Sequence, residues 1–461
     1  MKKYIIAAIL CIIPIAAFGW GIGLIGSGGG GGAAPASYVE EHYVCEAGEA
    51  AAGAHDGSDW ANCFDGFADI TWDTDAADDG NVGPGDILYL RDDDGSYLEL
   101  LTIGSSGTEE NPITISAADG ESPIIDGGDA RYTIYGTERD WVIIQDLELT
   151  QGYEFGVNCY DCDNWIVQDI LVHDTSSSGA NNGSNIYWFG DNNLFRRIES
   201  HTTAEDHGIY LGNDSDGNII EYFYIHDIAE DGIVINASAV TPSNNIIRYN
   251  WIEDCVNSGI EEQSGDGTII IGNIFVSNAG AQANGVWLNY DGSLPRATNT
   301  KVYNNVFYGG HNQHIRMGIG GDYATAASIV NNIVYDNNTG DGNLVYITDA
   351  NNTITTIDDN QYYSTSDYDW YYINPYTDIG DWQTAVSDEA GSAVGDPVFG
   401  TPGTDFTLGA ASPCKTNGTD LGTYNLINPT FNNGSSDFGV GSTITLLNPD
   451  DTDWPKGAYV Y

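Results

Sequence analysis

Basic residues are scarce in this 461-residue sequence, where 13 Lys and Arg stand against 67 Asp and Glu, a formal charge of −54. A surface with this charge repels nucleic acid and anionic membranes at long range, so we expect neither as a partner. In the repeated region described below, Lys301 is the only lysine, and a β-elimination with lysine as the base therefore has few candidates. Hydrophobic residues make up 41% of the chain, which is enough to build a core.

Apolar runs long enough to cross a bilayer are missing beyond the N-terminus. There, Lys2 and Lys3 precede an uncharged stretch and small residues near Ala17, the layout of a secretory signal. We expect a signal peptide at residues 1–19, a flexible Gly-rich spacer at 20–37, and a secreted or cell-surface protein with no integral membrane segment after cleavage. A retained membrane anchor is the alternative, because the uncharged stretch continues to about residue 26.

Cysteines are few, and one of the seven lies in the signal segment. Export makes disulfide pairing plausible for the others. A redox site at the C-x-x-C would need a helix N-terminus that this segment lacks, and no second C-x-x-C offers further metal ligands. We expect the disulfides Cys45–Cys63 and Cys159–Cys162, and we leave Cys255 and Cys414 unpaired.

Short runs of Ile, Val, Tyr and Phe recur along the chain, separated by Asn, Gly and Asp. Nine positions form one column with spacings of 23 to 32 residues: Asp146, Asp169, Arg197, Tyr222, Asn250, Asn273, Asn305, Asn332 and Asn360. A repeat of this length and composition predicts an all-β solenoid of stacked coils. We place the asparagines at a bend, where Asn tolerates left-handed backbone geometry and can hydrogen-bond along the stack.

A second column consists of strands that begin with Gly-Ile or a similar pair. Alternation turns residues such as Ile209 and Leu211 inward. It aligns the outward residues of successive coils: Tyr210, Val234, Glu261, Trp287 and Arg316. Aromatic rings with ionic groups on one exposed row suit a sugar-binding groove, although such rings are also ordinary cross-strand neighbours. Glu262 either shares the outer face through a β-bulge or points inward as a buried acid with a raised pKa.

These repeats and their flanking segments resemble the secreted right-handed parallel β-helix family, the superfamily of pectate-lyase-like and related polysaccharide-active proteins. YVCEAGEAAAG (43–53) and NPITISAADGESPIIDGG (111–128) resemble its cap and first coils, and DPVFG (396–400) with GAYVY (457–461) resembles its end. The resemblance implies an N-terminal cap with first coils at 38–132, β-helix repeats at 133–367, and C-terminal coils with a closing segment at 368–461. It also implies a polysaccharide or glycan as partner, and we expect a monomer.

The catalytic motifs of the enzymes in this superfamily are missing as complete sets. Asp206-His207-Gly208 is only a fragment of the polygalacturonase pattern, and Pro295-Arg296 is the nearest trace of the pectate-lyase R-x-P-x-x-R. The D-P-H of alginate epimerases does not occur. The resemblance therefore specifies architecture and leaves the chemistry open.

Histidines cluster beside carboxylates at one turn of the predicted solenoid. His173, His201 and His226 fall in consecutive coils, and six of the eight histidines belong to this region. Imidazoles in such a row titrate near neutrality or bind metal, although stacking at strand ends is the structural alternative. The candidate catalytic residues are His201, Asp206, His207, His226, Asp231 and Glu261. The candidate substrate-binding residues are Tyr210, Trp287, His314 and Arg316.

Two hypotheses follow from the sequence. The first is an exported enzyme, a polysaccharide lyase or glycoside hydrolase, that acts by acid–base chemistry at this turn. The second is a non-catalytic cell-surface β-solenoid, an adhesin, glycan-binding or matrix protein. No cofactor is certain, and calcium stays open, with Asp214 and Asp216 as weak candidate ligands in an acidic turn.

Overall fold

The computed structural model describes residues 39–48, 53–74, 80–92, 95–176, 183–205, 207–277, 284–289, 296–318, 323–337, 342–365, 369–415, 418–419, 421, 423–425, 443–445 and 456. They all belong to one compact unit, Ser37–Tyr461. The predicted signal peptide and spacer lie outside the described residues. In the described part of the chain, no helix is long and apolar enough to span a bilayer.

The chain winds through three sheets in turn, as the segments Ile219–Glu221, Tyr224–His226 and Ile233–Ile235 show before Ile246–Arg248 returns to the first sheet. The first sheet, in spatial order, contains Phe64–Asp65, Glu41–Cys45, Ile87–Leu90, Ile113–Ala117, Val142–Gln145, Ile166–Gln168, Leu194–Arg196, Ile219–Glu221, Ile246–Arg248, Ile269–Ile271, Lys301–Tyr303, Ala327–Val330 and Ile354–Asp358. The second contains Ile124–Asp126, Glu148–Thr150, Leu171–Thr175, Glu199–Thr203, Tyr224–His226, Trp251–Glu253, Ile274–Ser277, Val306–Gly309, Ile333–Asp336, Gln361–Ser364 and Ala393–Val394.

The third sheet contains Leu101–Thr102, Ile134–Thr137, Phe155–Tyr160, Ser184–Phe189, Ile209–Leu211, Ile233–Ile235, Ser258–Glu262, Asn284–Leu288, Gln313–Met317, Asn343–Ile347, Trp370–Tyr372 and Asn374–Tyr376. Its strands pair in parallel from coil to coil, and the last pair is antiparallel. The remaining elements of the described residues are two short antiparallel pairs, Phe399–Thr401 with Asp405–Leu408 and Thr423–Asn425 with Thr443–Thr445, the α-helix Ile379–Val386, and the 3-10 helices Phe67–Asp69 and Pro413–Lys415. The predicted all-β parallel solenoid is confirmed.

The core lies between the three sheets. Alternate residues of each strand point inward and build it. Ile209, Leu211, Ile233 and Ile235 are fully buried, as the alternation predicts. Aromatic side chains fill the interior as well, and the rings of Phe275 and Phe307 stack 4.7 Å apart on successive coils. Each coil buries its apolar face only against its neighbours, so the stack stabilises itself coil by coil.

The asparagine column forms a buried ladder rather than a left-handed bend. Each Oδ1 accepts a hydrogen bond from the backbone N–H of the preceding member, as Asn332 does from Asn305 at 3.0 Å, and each Nδ2 donates to a strand carbonyl. The residue before each asparagine carries the positive φ: Tyr249 58°, Gly272 68°, Asn304 51°, Asn331 59° and Asp359 54°.

The predicted column therefore slips by one residue at Asn250. Strand pairing sets Arg248 beside Glu221, so that Tyr249, not Asn250, continues the row that contains Tyr222. The prediction of hydrogen bonding along the stack is confirmed, whereas the left-handed geometry assigned to the asparagines is wrong. An inward polar side chain in a dry core needs partners for its donors and its acceptor, and the ladder supplies them.

Two disulfides close short loops near the start of the solenoid. The structure joins Cys45 to Cys63 and Cys159 to Cys162, which are the pairs expected from the sequence. Cys255 and Cys414 are free and buried.

Candidate functional site

The histidines of the second sheet form a stack on its outer face. The rings of His173 and His201 lie 4.9 Å apart, and those of His201 and His226 lie 4.8 Å apart, with nearly parallel planes. Parallel strands about 4.8 Å apart bring matching side chains to this spacing. The stacking alternative in the sequence analysis is therefore what the geometry shows for these three residues.

Carboxylates flank both ends of this imidazole stack. His226 Nε2 lies 3.2 Å from Glu199 Oε1, and its Nδ1 lies 2.9 Å from Asp227 Oδ2. His201 in the middle has a lowered pKa, because burial and the neighbouring histidines disfavour its charged form. The ring nitrogens of His226 are thus occupied by acidic partners at the surface.

The outer face of the third sheet carries a different row of side chains. Strand pairing sets Tyr187, Tyr210, Val234, Glu261, Trp287, Arg316, Tyr346 and Tyr371 side by side on successive coils. We call these eight residues the outer row. The predicted alignment from Tyr210 to Arg316 is confirmed by this register. The middle of the row is more covered than the sequence predicts, since Val234 is 1% and Glu261 4% exposed.

A buried acid pair lies beside the middle of the outer row. Asp231 and Glu261 are near enough for their charges to act on each other. Burial and then the Glu261 charge raise the pKa of Asp231 well above its ordinary value, and burial also raises the pKa of Glu261. Burial and mutual repulsion thus favour the protonated form of these carboxyl groups.

His207 completes this group from the preceding coil. Its Nδ1 lies 3.5 Å from Asp231 Oδ2, and burial lowers its pKa to about 4, so the imidazole is neutral at neutral pH. Asn257 Nδ2 donates to Asp231 Oδ1 at 2.9 Å, and Asn289 Nδ2 donates to Glu261 Oε1 at 3.2 Å. These two amides hold the carboxyl groups in place. We call His207, Asp231 and Glu261 the acid cluster.

Half-buried aromatic rings and one guanidinium flank the acid cluster along the outer row. The Arg316 guanidinium lies 4.2 Å from the centre of the Trp287 ring, a cation–π contact, and its charge acts on Glu261. On the other side, the Tyr187 and Tyr210 rings stack 4.9 Å apart, and Tyr210 lies 5.8 Å from the His207 ring. Aromatic faces, a cation and a buried acid pair therefore meet at one face of the third sheet.

The structure separates several residues that the sequence analysis placed together. His201 and His226 lie on the second sheet, whereas His207, Tyr210, Asp231 and Glu261 belong to the third sheet or to the turn that leads into it. Asp206 lies outside the described residues. The predicted single face thus becomes two groups, because the turn after the second sheet points the following residues toward another side.

One further expectation, for His314, is wrong, and of the two alternatives for Glu262 the structure shows the buried one. His314 does not offer a surface for substrate: it is fully buried, and its two ring nitrogens lie 3.1 and 3.3 Å from the carbonyls of Asn343 and Gly309. Glu262 is not bulged outward either, because it pairs between Ile235 and Leu288 on the inward side and is fully buried. Its alternative, a buried acid with a raised pKa, is the one the structure shows: burial raises that pKa to about 7.

One of the two aspartates considered for calcium accepts a backbone hydrogen bond. Asp216 Oδ1 accepts from the backbone N–H of Ser243 at 2.6 Å, and Asp214 adopts a positive φ of 56° in the same turn. Within the described residues, three groups of His, Asp or Glu bring ligand atoms within 4.8 Å of one another, and neither aspartate belongs to one.

Sequence reasoning missed Tyr187, Tyr346 and the two amides of Asn257 and Asn289. The tyrosines alternate with buried residues in Ser184–Phe189 and Asn343–Ile347, which is a signal in the sequence. The search for Gly-Ile strand starts passed over both segments. The amides carry no such signal, because their role depends on where the turns bring them.

A family model supports the fold. Residues 132–307 match the family model described as "Right handed beta helix region". No curated protein sequence matches the chain. Similar solved structures include XylC in complex with xylose (12% identity, 78% of this chain and 87% of that one, TM-score 0.49) and pectate lyase Pel9A (14%, 84% and 93%, 0.47). A surface adhesin of Streptococcus pneumoniae is also similar (10%, 61% and 80%, 0.43). At these identities, activity does not transfer from those proteins to this chain.

Proposed function

We propose that this chain, whose residues 132–307 match the family model of the right-handed β-helix, is an exported protein that binds polysaccharide along the outer row and cleaves it at the acid cluster. The observation that carries the proposal is the buried acid pair Asp231–Glu261 beside a neutral His207, set between half-buried aromatic rings and Arg316. Strongly perturbed titratable groups that adjoin a binding surface are typical of catalytic sites.

The outer row supplies what a sugar chain needs for binding. Tyr210 and Trp287 present rings for pyranose faces, and the Arg316 guanidinium can hold a uronate carboxylate or a hydroxyl. The coils lie about 4.8 Å apart, so a chain of sugar rings running along the solenoid meets several of these side chains in succession. The negative net charge of the protein opposes binding of an acidic polysaccharide, but exposed charges are screened over about 8 Å at physiological salt.

The acid cluster and Arg316 together offer the groups that an elimination requires. A lyase needs a base to remove the proton next to the uronate carboxyl, an acid for the leaving oxygen, and a positive or protonated partner for the carboxylate. His207 is neutral at neutral pH and can accept a proton. Asp231, with its raised pKa, retains a proton more readily than an isolated aspartate, and Arg316 carries the positive charge.

A non-catalytic β-solenoid is the second candidate, and burial favours it. His207, Asp231 and Glu261 are 5%, 1% and 4% exposed. In this candidate, the hydrogen bonds of Asp231 and Glu261 to Asn257 and Asn289 have a structural role and hold the turn under a glycan-binding face. The two candidates share the outer row and differ in whether the acid cluster contacts substrate.

Activity and binding measured separately test both candidates. We would screen acidic and neutral polysaccharides for new reducing ends and for the absorbance of unsaturated products, with binding followed by affinity electrophoresis. If the chain is a lyase, Asp231→Asn and His207→Gln should each lower turnover by about 10²-fold or more and leave binding within a few-fold. Glu199→Gln, on the second sheet, is the matched control and should retain both. Binding without turnover in the wild type would leave the solenoid candidate.

A further inference from the structure

Three polar side chains meet at the start of the solenoid, far along the chain from the acid cluster. Strand pairing sets Glu41 beside Ile87 and His42 beside Leu88. The preceding residues, Glu40 and Asp86, are therefore neighbours, and alternation turns His42 to the same side as Glu40. Val44, two residues on, lies in the apolar core, so this side is the interior of the first coils.

His42 is buried in this group without a hydrogen bond. It is 2% exposed, its ring stacks on Phe64, and neither ring nitrogen has a hydrogen-bond partner. Its Nε2 lies 3.6 Å from Glu40 Oε2 and 3.6 Å from Asp86 Oδ2. A buried imidazole nitrogen usually finds a partner, and here it points between two carboxylate oxygens that stand just beyond hydrogen-bond distance.

The equal separations match the edge of a metal tetrahedron. In a tetrahedral site, two ligand atoms are about 1.63 times the metal–ligand distance apart, so distances of about 2.0–2.2 Å give ligand separations of about 3.3–3.6 Å. The three ligand atoms of Glu40, His42 and Asp86 all lie within 4.8 Å of one another. One ion at their centre would reach each of them at ordinary bond length with small side-chain adjustments.

Backbone N–H groups hold the two carboxylates in this arrangement. Asp86 Oδ1 accepts from the Glu40 N–H at 2.9 Å, and its Oδ2 accepts from the Gly83 N–H at 2.8 Å. Glu40 Oε2 accepts from the Gly80 N–H at 3.3 Å. Hydrogen bonds of this kind orient the side chains that hold a metal before the metal binds. Two carboxylates in a buried place are costly unless a cation balances their charge.

We propose that Glu40, His42 and Asp86 form a structural or regulatory site for one divalent transition-metal ion, with Zn²⁺ as the best fit. An imidazole with two carboxylates suits zinc and its neighbours in the first transition row, whereas calcium and magnesium prefer oxygen ligands alone. The Glu40 side chain is 14% exposed and lies at the entry to the site. Bound metal would link the first strand of the solenoid to the next coil and stabilise the folded state through its binding free energy.

Zinc stoichiometry on untagged, chelator-treated full-length protein tests this site. Equilibrium dialysis against Zn²⁺, followed by elemental analysis, should find one tightly held zinc per chain, and Ca²⁺ at the same concentration should not displace it. His42→Gln should bind this zinc at least about 100-fold more weakly, because loss of a supporting partner alone already costs 10- to 100-fold. Zinc should also raise the unfolding temperature of the wild type and not that of the variant.

Matched variants separate this site from the other acidic groups of the chain. His226→Gln removes a ligand from the group Glu199–His201–His226, and His207→Gln removes one from the acid cluster, so both should keep the zinc stoichiometry and the thermal shift. Glu40→Gln is the partly exposed second variant, in case His42→Gln folds poorly by circular dichroism. Unchanged zinc binding in His42→Gln and Glu40→Gln, or no zinc bound by the wild type, would overturn the proposal.

Discussion

A buried glutamate in the core should make this protein less stable as the pH rises through neutrality. Glu262 is fully buried between inward apolar residues, and burial raises its pKa from 4.5 to about 7, although the Thr300 hydroxyl donates a hydrogen bond to Oε2 at 2.7 Å. Between these two pH values, the folded chain holds a proton on Glu262 that the unfolded chain has released. The free energy of unfolding therefore falls as the pH rises from about 4.5 to about 7 and levels off above.

The size of this effect follows from the shift. About 2.5 pH units at 1.36 kcal/mol per unit correspond to about 3 kcal/mol, the free energy that ionisation of Glu262 costs the folded state above pH 7. Glu262→Gln keeps the shape and removes the titration. At pH 4.5, we expect the free energy of unfolding of the variant to equal that of the wild type or to lie slightly below it. At pH 8, we expect the difference between variant and wild type to have moved by about 3 kcal/mol in favour of the variant.

Urea unfolding at pH 4.5, 6 and 8, followed by circular dichroism, measures the difference between the two proteins at each pH. The buried Glu389, whose pKa burial raises to about 8, contributes a slope of the same sign to both proteins and cancels in that difference. Glu109→Gln, at an exposed position, is the control and should give a flat difference. A difference for Glu262→Gln that is the same at all three pH values would refute the assignment of a protonated, inward glutamate.

Three further outcomes follow from the fold and the site. Asn305→Leu should destabilise the solenoid by about 1–3 kcal/mol, because it leaves the buried Asn273 N–H without its acceptor and removes the side-chain hydrogen bond to the Ile270 carbonyl. Hydrogen exchange at Asn273 should report the loss, while the exposed Asn374→Leu should show little change. Nonreducing peptide mapping of exported protein should recover the linked pairs Cys45–Cys63 and Cys159–Cys162, and free thiols at these positions would contradict them. Trp287→Ala should weaken polysaccharide binding on affinity gels by about 10-fold or more, through the lost ring and its contact with Arg316, and unchanged mobility would remove the outer row as the binding face.

The solenoid itself could be predicted from the sequence because its main determinants are local. A strand alternates with a period of two, so Ile209 and Leu211 turn inward wherever the strand lies, and a recurring spacing of such strands has few other solutions. The same alternation aligned Tyr210, Glu261, Trp287 and Arg316 correctly. The inward position of Glu262 also follows from this alternation. A bulge was the alternative because burial of a carboxyl group is costly.

The tertiary structure decided the register between coils, the sheet on which each side chain lies, and which side chains are buried. Sequence similarity aligned Asn250 with Tyr222. Strand pairing depends on backbone contacts between coils, and it shifts that column by one residue. The asparagines therefore form a buried ladder and not a bend. The turn between the second and third sheets separates His201 from His207, although only a few residues lie between them. Burial of Asp231 and His314, and the meeting of Glu40 with Asp86 46 residues away, depend on which segments pack together, and no local pattern in the sequence records that.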